Sequence, residues 1–173
     1  MSPILDDTRG TFTGGGGSIS APTLGSGKSL TLNLGVIVQP YRSESKSAGA
    51  VTTGDVANWL EKRYAVMEVF TRVHSRVIEN ALFTSTQGAL EALFMGRRVD
   101  PFARGTQAIT TRFKQYINSY EAERVGIPGT PTGAALRGVS HRRAHPYAKS
   151  NPRRPSFRDT GTYVGSAVTW VSS

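Results

Sequence analysis

From residue 30 to residue 39 the apolar positions alternate. Leu30, Leu32, Leu34, Val36 and Val38 share one side of an extended chain, and Thr31, Asn33, Gly35, Ile37 and Gln39 share the other. A period of two is that of a strand with one face buried, and Pro40, which has no N–H to give a ladder, closes it. After a polar loop over 41–54 the period changes. Val56, Trp59, Leu60, Tyr64, Met67, Phe70, Val73, Val77, Ile78 and Leu82 recur at steps of three and four. That spacing predicts a helix over 55–82, capped by Thr53, with Lys62, Arg63, Arg72, Arg76 and Glu79 on its far face. At about 1.5 Å per residue it is roughly 40 Å long, or it is two helices with a bend.

A short helix after Ser85 is expected to carry Leu90, Leu93, Phe94 and Met95 inward and to stop at Gly96. A third, over 105–123, places Ile109, Phe113, Tyr116, Ile117 and Tyr120 in register. The run 126–129 breaks the chain, and Thr130 and Pro131 read as the cap and first position of a short helix to Val139. Pro146, Pro152 and Pro155 make 140–155 irregular. Last, Val164, Val168 and Trp170 alternate with Gly165, Ala167 and Thr169, a strand over 163–171 that pairs with 30–39. The fold class is therefore α+β: a small antiparallel sheet packed by a long helix and two or three shorter ones. Two strands make a marginal sheet, which points to completion by a partner subunit.

Ahead of the first strand, residues 1–29 read as a flexible arm, because the Gly14–Gly17 run has high backbone entropy and nothing beside it to offset its ordering. The expected organisation is that arm and one α+β domain over 30–173, with a basic, proline-rich loop at 140–158. There is no cysteine, so disulfides and cysteine-based zinc sites are excluded. No apolar run approaches a membrane span, and the first residues, which include Asp6 and Asp7, do not read as a secretory signal. No membrane partner and no cofactor are expected, and synthesis and use in a cytoplasm are.

The net charge of +9 is uneven: residues 1–136 carry 14 Lys/Arg against 11 Asp/Glu, and residues 137–173 carry 7 against 1. Arg137, Arg142, Arg143, Lys149, Arg153, Arg154 and Arg158, with Tyr147 and Phe157 among them, form the basic segment. Arginine beside aromatics suits phosphate backbones, and it equally suits a protein interface stiffened by proline. Other candidate chemistry is weak. Gly25–Ser29 contains Gly-Lys-Ser, but it precedes a strand where a phosphate loop must follow one. His141 and His145 have helical metal spacing, but Pro146, Arg142 and Arg143 oppose it. His74 reads as a semi-exposed helix residue. Glu121 and Glu123 could pair as carboxylates, but residues two apart on a helix point apart. Gly165-Ser166 lacks the second glycine of a nucleophile elbow. No catalytic signature emerges.

The segment Pro155-Ser156-Phe157-Arg158-Asp159-Thr160-Gly161, followed by Tyr163 and a strand to Trp170-Val171, resembles the closing motif of tailed-bacteriophage neck, tail-completion and minor tail proteins. Those close on a basic, proline-rich loop, then Asp-Thr-Gly, then a strand. Gly129–Arg137 and the helix start at Val56–Glu61 are similar to that group as well, and the patches span about 55–171. Aspartic proteases also use Asp-Thr-Gly, but they need two such loops in apolar settings, and here Arg158 precedes the only one. The resemblance implies a homo-oligomeric ring at the head–tail junction of a virion, joining portal or connector to tail proteins around a DNA channel. The arm would tie neighbouring subunits, and the basic loop would face the adjacent ring or the DNA. The helices over 84–125 and the Gly-rich start depart from the group. Asp159, Thr160 and Gly161 are expected to act as a structural turn, with Asp159 capping the turn after it and Gly161 adopting a positive φ. A stand-alone nucleic-acid-binding protein and, more remotely, a hydrolase using Asp159 are the rival readings.

Overall fold

The computed structural model describes residues 19–20, 30–41 and 51–172. The predicted arm, apart from Ile19 and Ser20, the Gly25–Ser29 motif and most of the polar loop lie outside them. The fold is α+β. Strands β1 (Ile19–Ser20), β2 (Thr31–Val36) and β3 (Ala167–Ser172) form an antiparallel sheet with β2 in the middle. The predicted pairing is present, with Leu32 opposite Val171, Leu34 opposite Thr169 and Val36 opposite Ala167. These residues face the core, where Leu32, Leu34, Val36, Ala167 and Thr169 are buried. On the other face the Trp170 ring lies across Gly35, where an added Cβ would come within 3.1 Å of it.

Both strands are shorter than the alternation suggests. β2 ends at Val36, leaving Ile37 and Val38 exposed, and Pro40 forms an isolated bridge with Thr52. At the other end, Thr162–Gly165 is a single helical turn, because Gly161 sits at φ 84° and turns the chain before β3 begins.

The expected helix over 55–82 is instead three pieces: α1 (Thr53–Tyr64), α2 (Val66–Val73) and the start of α3 (Ser75–Phe94). Its cap is Thr52 rather than Thr53. Thr52 and Asp55 satisfy each other's backbone N–H groups in a capping box, while Thr53 is fully buried and donates to the Ile37 carbonyl at 2.6 Å. The first break lies at Ala65, in the left-handed region at φ 48°, ψ 45°. Ala65 has no side chain to cap α2, and Glu61 does so from the last turn of α1: its carboxylate accepts from Met67 N at 2.8 Å and Glu68 N at 3.0 Å. Because the axis bends, the long apolar stripe divides. Met67, Phe70 and Ile78 enter the core, and Trp59, Val73 and Val77 stay exposed.

The second break is at His74, which is buried rather than semi-exposed, edge-on to Phe70 and Tyr116 with ring centroids 4.8 and 5.6 Å away. The long helix is α3, about 30 Å of it, and it absorbs the short helix expected after Ser85. It pairs with α4 (Ala103–Asn118), which also crosses the sheet and carries Ile109, Phe113, Tyr116 and Ile117 into the core as expected. Gly105 allows the close approach of the pair, since a Cβ there would sit 3.0 Å from the Ala81 carbonyl oxygen. The outer half of α3 buries only Ser85 and Ala92. Leu90, Leu93, Phe94 and Met95, expected inside, are on the surface, because the hairpin end extends past the rest of the core.

After α4, Tyr120 at φ 61° starts the single turn α5 (Glu121–Arg124). The turn α6 (Gly133–Leu136) follows a cis Thr130–Pro131 peptide, so Pro131 is not its first residue. Thr132 is the cap, accepting from Ala135 N, while its own N–H donates to Ser156. The last helical turn, Thr162–Gly165, is α7.

Candidate functional site

The loop over 137–161 has no regular structure, so its shape comes from side-chain anchors. The deepest is Glu123 on α5, whose side chain is only 5% exposed. Its carboxylate accepts from Ser156 N at 2.8 Å and Ser156 Oγ at 2.7 Å, and from the Arg153 guanidinium. Burial works to raise the Glu123 pKa, but the hydrogen bonds from Ser156 and Arg153 outweigh it and hold the carboxyl below its usual value. Glu121, two residues back, instead accepts from Arg112 at 2.6 Å, so the two carboxylates do serve different neighbours.

Arg154 is the second anchor. Its guanidinium donates to the carbonyls of Val139, Pro155 and Arg158, which ties both limbs of the loop together. Gly138 marks the closest crossing of those limbs: at φ 64°, a Cβ would lie 2.3 Å from the Pro152 carbonyl oxygen. Phe157, at φ 67°, is held by its ring against Tyr64 of α1, with centroids 5.0 Å apart.

Asp159 is the third anchor, and it works backward along the chain. It does not cap the following turn. One oxygen accepts from His141 N at 2.9 Å and the other meets His141 Nδ1 at 2.6 Å. With Nδ1 protonated, His141 Nε2 accepts from the Tyr147 hydroxyl at 3.1 Å. The turn after Asp159 is held by Thr160, whose hydroxyl accepts from Thr162 N at 3.3 Å. Gly161 takes the positive φ expected of it.

These anchors bring five of the seven predicted cations to one place. Arg142, Arg143, Arg153, Arg154 and Arg158 line a hollow of about 360 Å³ together with Tyr120, Ser140, Pro152, Pro155 and Asp159. Arg137 and Lys149 are exposed and lie outside its lining. Thr160 and Gly161 line a neighbouring, more apolar hollow between α1 and the 157–163 turn. Inside the arginine hollow the cations differ. Arg153 is paired with Glu123 and stacks over Tyr120 at 5.3 Å, Arg143 donates to Asn151, and Arg154 is occupied with carbonyls. The Arg142 and Arg158 side chains have no hydrogen bond or ion pair among the described residues. Such a site supplies fixed positive charge and planar donors. It holds no nucleophile activated by a base, and both Asp159 oxygens are engaged by His141.

Sequence reasoning missed Glu123 and Ser156 as the loop's foundation. The available signal was a carboxylate on a helix facing an arginine-rich segment with no acid of its own before Asp159. Both ring nitrogens of His141 have partners, Nδ1 in Asp159 and Nε2 in the Tyr147 hydroxyl. Among the described residues no three His, Asp or Glu side chains converge, and no helix is long and apolar enough to cross a membrane. Comparison with protein-family models, curated proteins and solved structures returns no match to this chain.

Proposed function

We propose that this chain is a structural subunit of a tailed-phage neck or tail-completion ring, built to be covered by protein at the α3–α4 hairpin. The observation that carries this reading is the apolar surface along the outer side of α3 and at its turn toward α4. Phe83, Leu90, Leu93, Phe94, Met95 and Val99 are 64, 53, 58, 81, 71 and 53% exposed. A cluster of that size on a free monomer is unusual and marks an interaction surface. Burying each large apolar side chain contributes about 1.5–3 kcal/mol, so even partial coverage drives association. The outer end of the hairpin also stands clear of the core that the sheet, α1, α2 and the body of α4 build, so a partner can reach it without disturbing the fold. The closing Pro-Ser-Phe-Arg-Asp-Thr-Gly motif adds the family resemblance. In that setting the ring stands between portal or connector and tail proteins in the virion, around DNA.

The test is the mass of the full-length protein by light scattering at two concentrations and two salt levels, alone and with Phe83→Ser/Phe94→Ser. A salt-resistant, discrete oligomer that the double variant loses without losing thermal stability supports the reading. A monomer at every condition that also fails to associate with a purified portal or tail partner removes it.

A further inference from the structure

We propose that the arginine hollow over 138–159 binds phosphodiester groups of a nucleic-acid backbone. This deepens the ring reading by naming what its basic face takes. Three observations converge. First, the charge there is only partly compensated: five guanidiniums face the hollow against Asp159 within it and Glu123 behind Arg153. Second, the hollow is built before any ligand arrives. The Arg154 carbonyl contacts, the Glu123–Ser156 bonds and the His141–Asp159 pair fix its walls, so little ordering entropy is lost on binding. Third, Arg142 and Arg158 have no side-chain partner among the described residues, and Arg142 is placed rather than loose, while the Arg158 backbone is fixed through its carbonyl by Arg154. Arg142 packs against Gly161, where a Cβ would meet its guanidinium at 2.7 Å, so the glycine leaves the room that Arg142 occupies.

The occupant's chemistry comes from the shape of the charge. A guanidinium fork matches two phosphate oxygens at once. Two further exposed cations, Arg137 and Lys149, belong to the same segment outside the hollow's lining, and residues 137–158 contain no acidic side chain. A run of like charge longer than one anion suits a polyanion, whose bound counterions are released when phosphates are neutralised. The apolar anchors that dominate protein interfaces are scarce in the hollow, whose aromatic lining is Tyr120 alone, and they collect instead on the α3–α4 hairpin.

The experiment uses the full chain, with inorganic phosphate by calorimetry and a labelled mixed-sequence DNA duplex by anisotropy at rising salt. Arg142→Gln/Arg158→Gln removes the two cations that have no side-chain partner among the described residues. Lys62→Gln/Arg76→Gln removes the same charge from exposed helix positions and serves as control. The expected result is weak phosphate binding and tighter, salt-sensitive duplex binding. The first variant weakens duplex binding about tenfold or more and lowers the log–log salt slope by roughly 2, at about 0.9 per lost contact, while the control changes neither. Phosphate binding without duplex binding, equal loss in both variants, stronger binding of an acidic peptide than of the duplex, or no binding at all overturns the proposal. Light scattering of the same variants reads the ring independently, so loss of DNA binding with intact assembly separates this failure from failure of the ring reading.

Discussion

Removing the Glu123 carboxylate is the sharpest test of how the loop is held. Glu123→Ala deletes two hydrogen bonds to Ser156, at 2.8 and 2.7 Å, and the pair with Arg153. Ser156 is 1% exposed, so its N–H and hydroxyl cannot turn to solvent. A buried polar group left unsatisfied costs about 1–3 kcal/mol. Arg153 is half exposed, so its pair with Glu123 adds at most about 1 kcal/mol. Returning a carboxylate to water in the unfolded state offsets part of this, and the net expectation is roughly 3 kcal/mol. Against a total of about 5–15 kcal/mol that is a large fraction, and at about 2–4 °C per kcal/mol it lowers Tm by roughly 6–12 °C. Urea unfolding should show a lower midpoint, and trypsin should cut faster near Arg153 and Arg154. Glu123→Gln keeps one acceptor oxygen and should lose about half as much. A double-mutant cycle with Ser156→Ala should show coupling of about 1–2 kcal/mol. Additive effects, or a Tm for Glu123→Ala within about 2 °C of the parent, would refute the view that this carboxylate anchors the loop.

Gly138→Ala must move the Pro152 backbone and also strains a φ of 64°, so it should destabilise by about 2 kcal/mol or more and abolish phosphate binding, read by urea unfolding and calorimetry. Ala65→Gly relieves a left-handed non-glycine residue and should raise stability by about 0.5–1 kcal/mol, whereas Glu61→Ala uncaps α2 and should lower it by about 1–2 kcal/mol, both by chemical denaturation. His74 is shifted below its ordinary pKa, first by burial and then by Arg112, with Glu121 opposing. The folded state thus disfavours protonation, so this contribution is present above about pH 6.5, the unfolded value, and is lost as pH falls. Tm measured from pH 7.5 down to 5 should drop, above the range where Glu121 and Glu123 titrate, and His74→Gln should flatten the profile.

The strands and the core of α4 were legible because their side chains repeat with the period of the backbone. Leu32, Leu34 and Val36 alternate, and Ile109, Phe113, Tyr116 and Ile117 return every turn. The length of the 55–82 stripe allowed for a bend, but the positions of the breaks at Ala65 and His74 were not legible, because apolar periodicity survives them. A left-handed alanine leaves no compositional mark, and its cap comes from Glu61, outside the helix it caps. The exposed end of α3 was misjudged for a related reason: Leu90, Leu93 and Phe94 have core spacing but no core to meet. The basic segment was plain from composition, and the motif after it marked the turn at Gly161. The hollow itself was not visible, since it depends on Glu123 lying opposite Ser156 and on Asp159 reaching back to His141.

The pairing of β2 with β3 also dictates the order in which the molecule can be completed. The α3–α4 hairpin joins neighbours in sequence and can form while the chain is still being made, since such local contacts close quickly. One edge of β2 has to wait. Leu34 pairs with Thr169, so the backbone groups of Thr31–Val36 on that edge find no sheet partner until almost the whole domain has left the ribosome. A ribosome-bound chain stalled before residue 167 would hold a formed hairpin beside an open, sticky strand. Closure of the sheet therefore coincides with the folding of the arginine loop, which leads through the turn Thr162–Gly165 into its last strand.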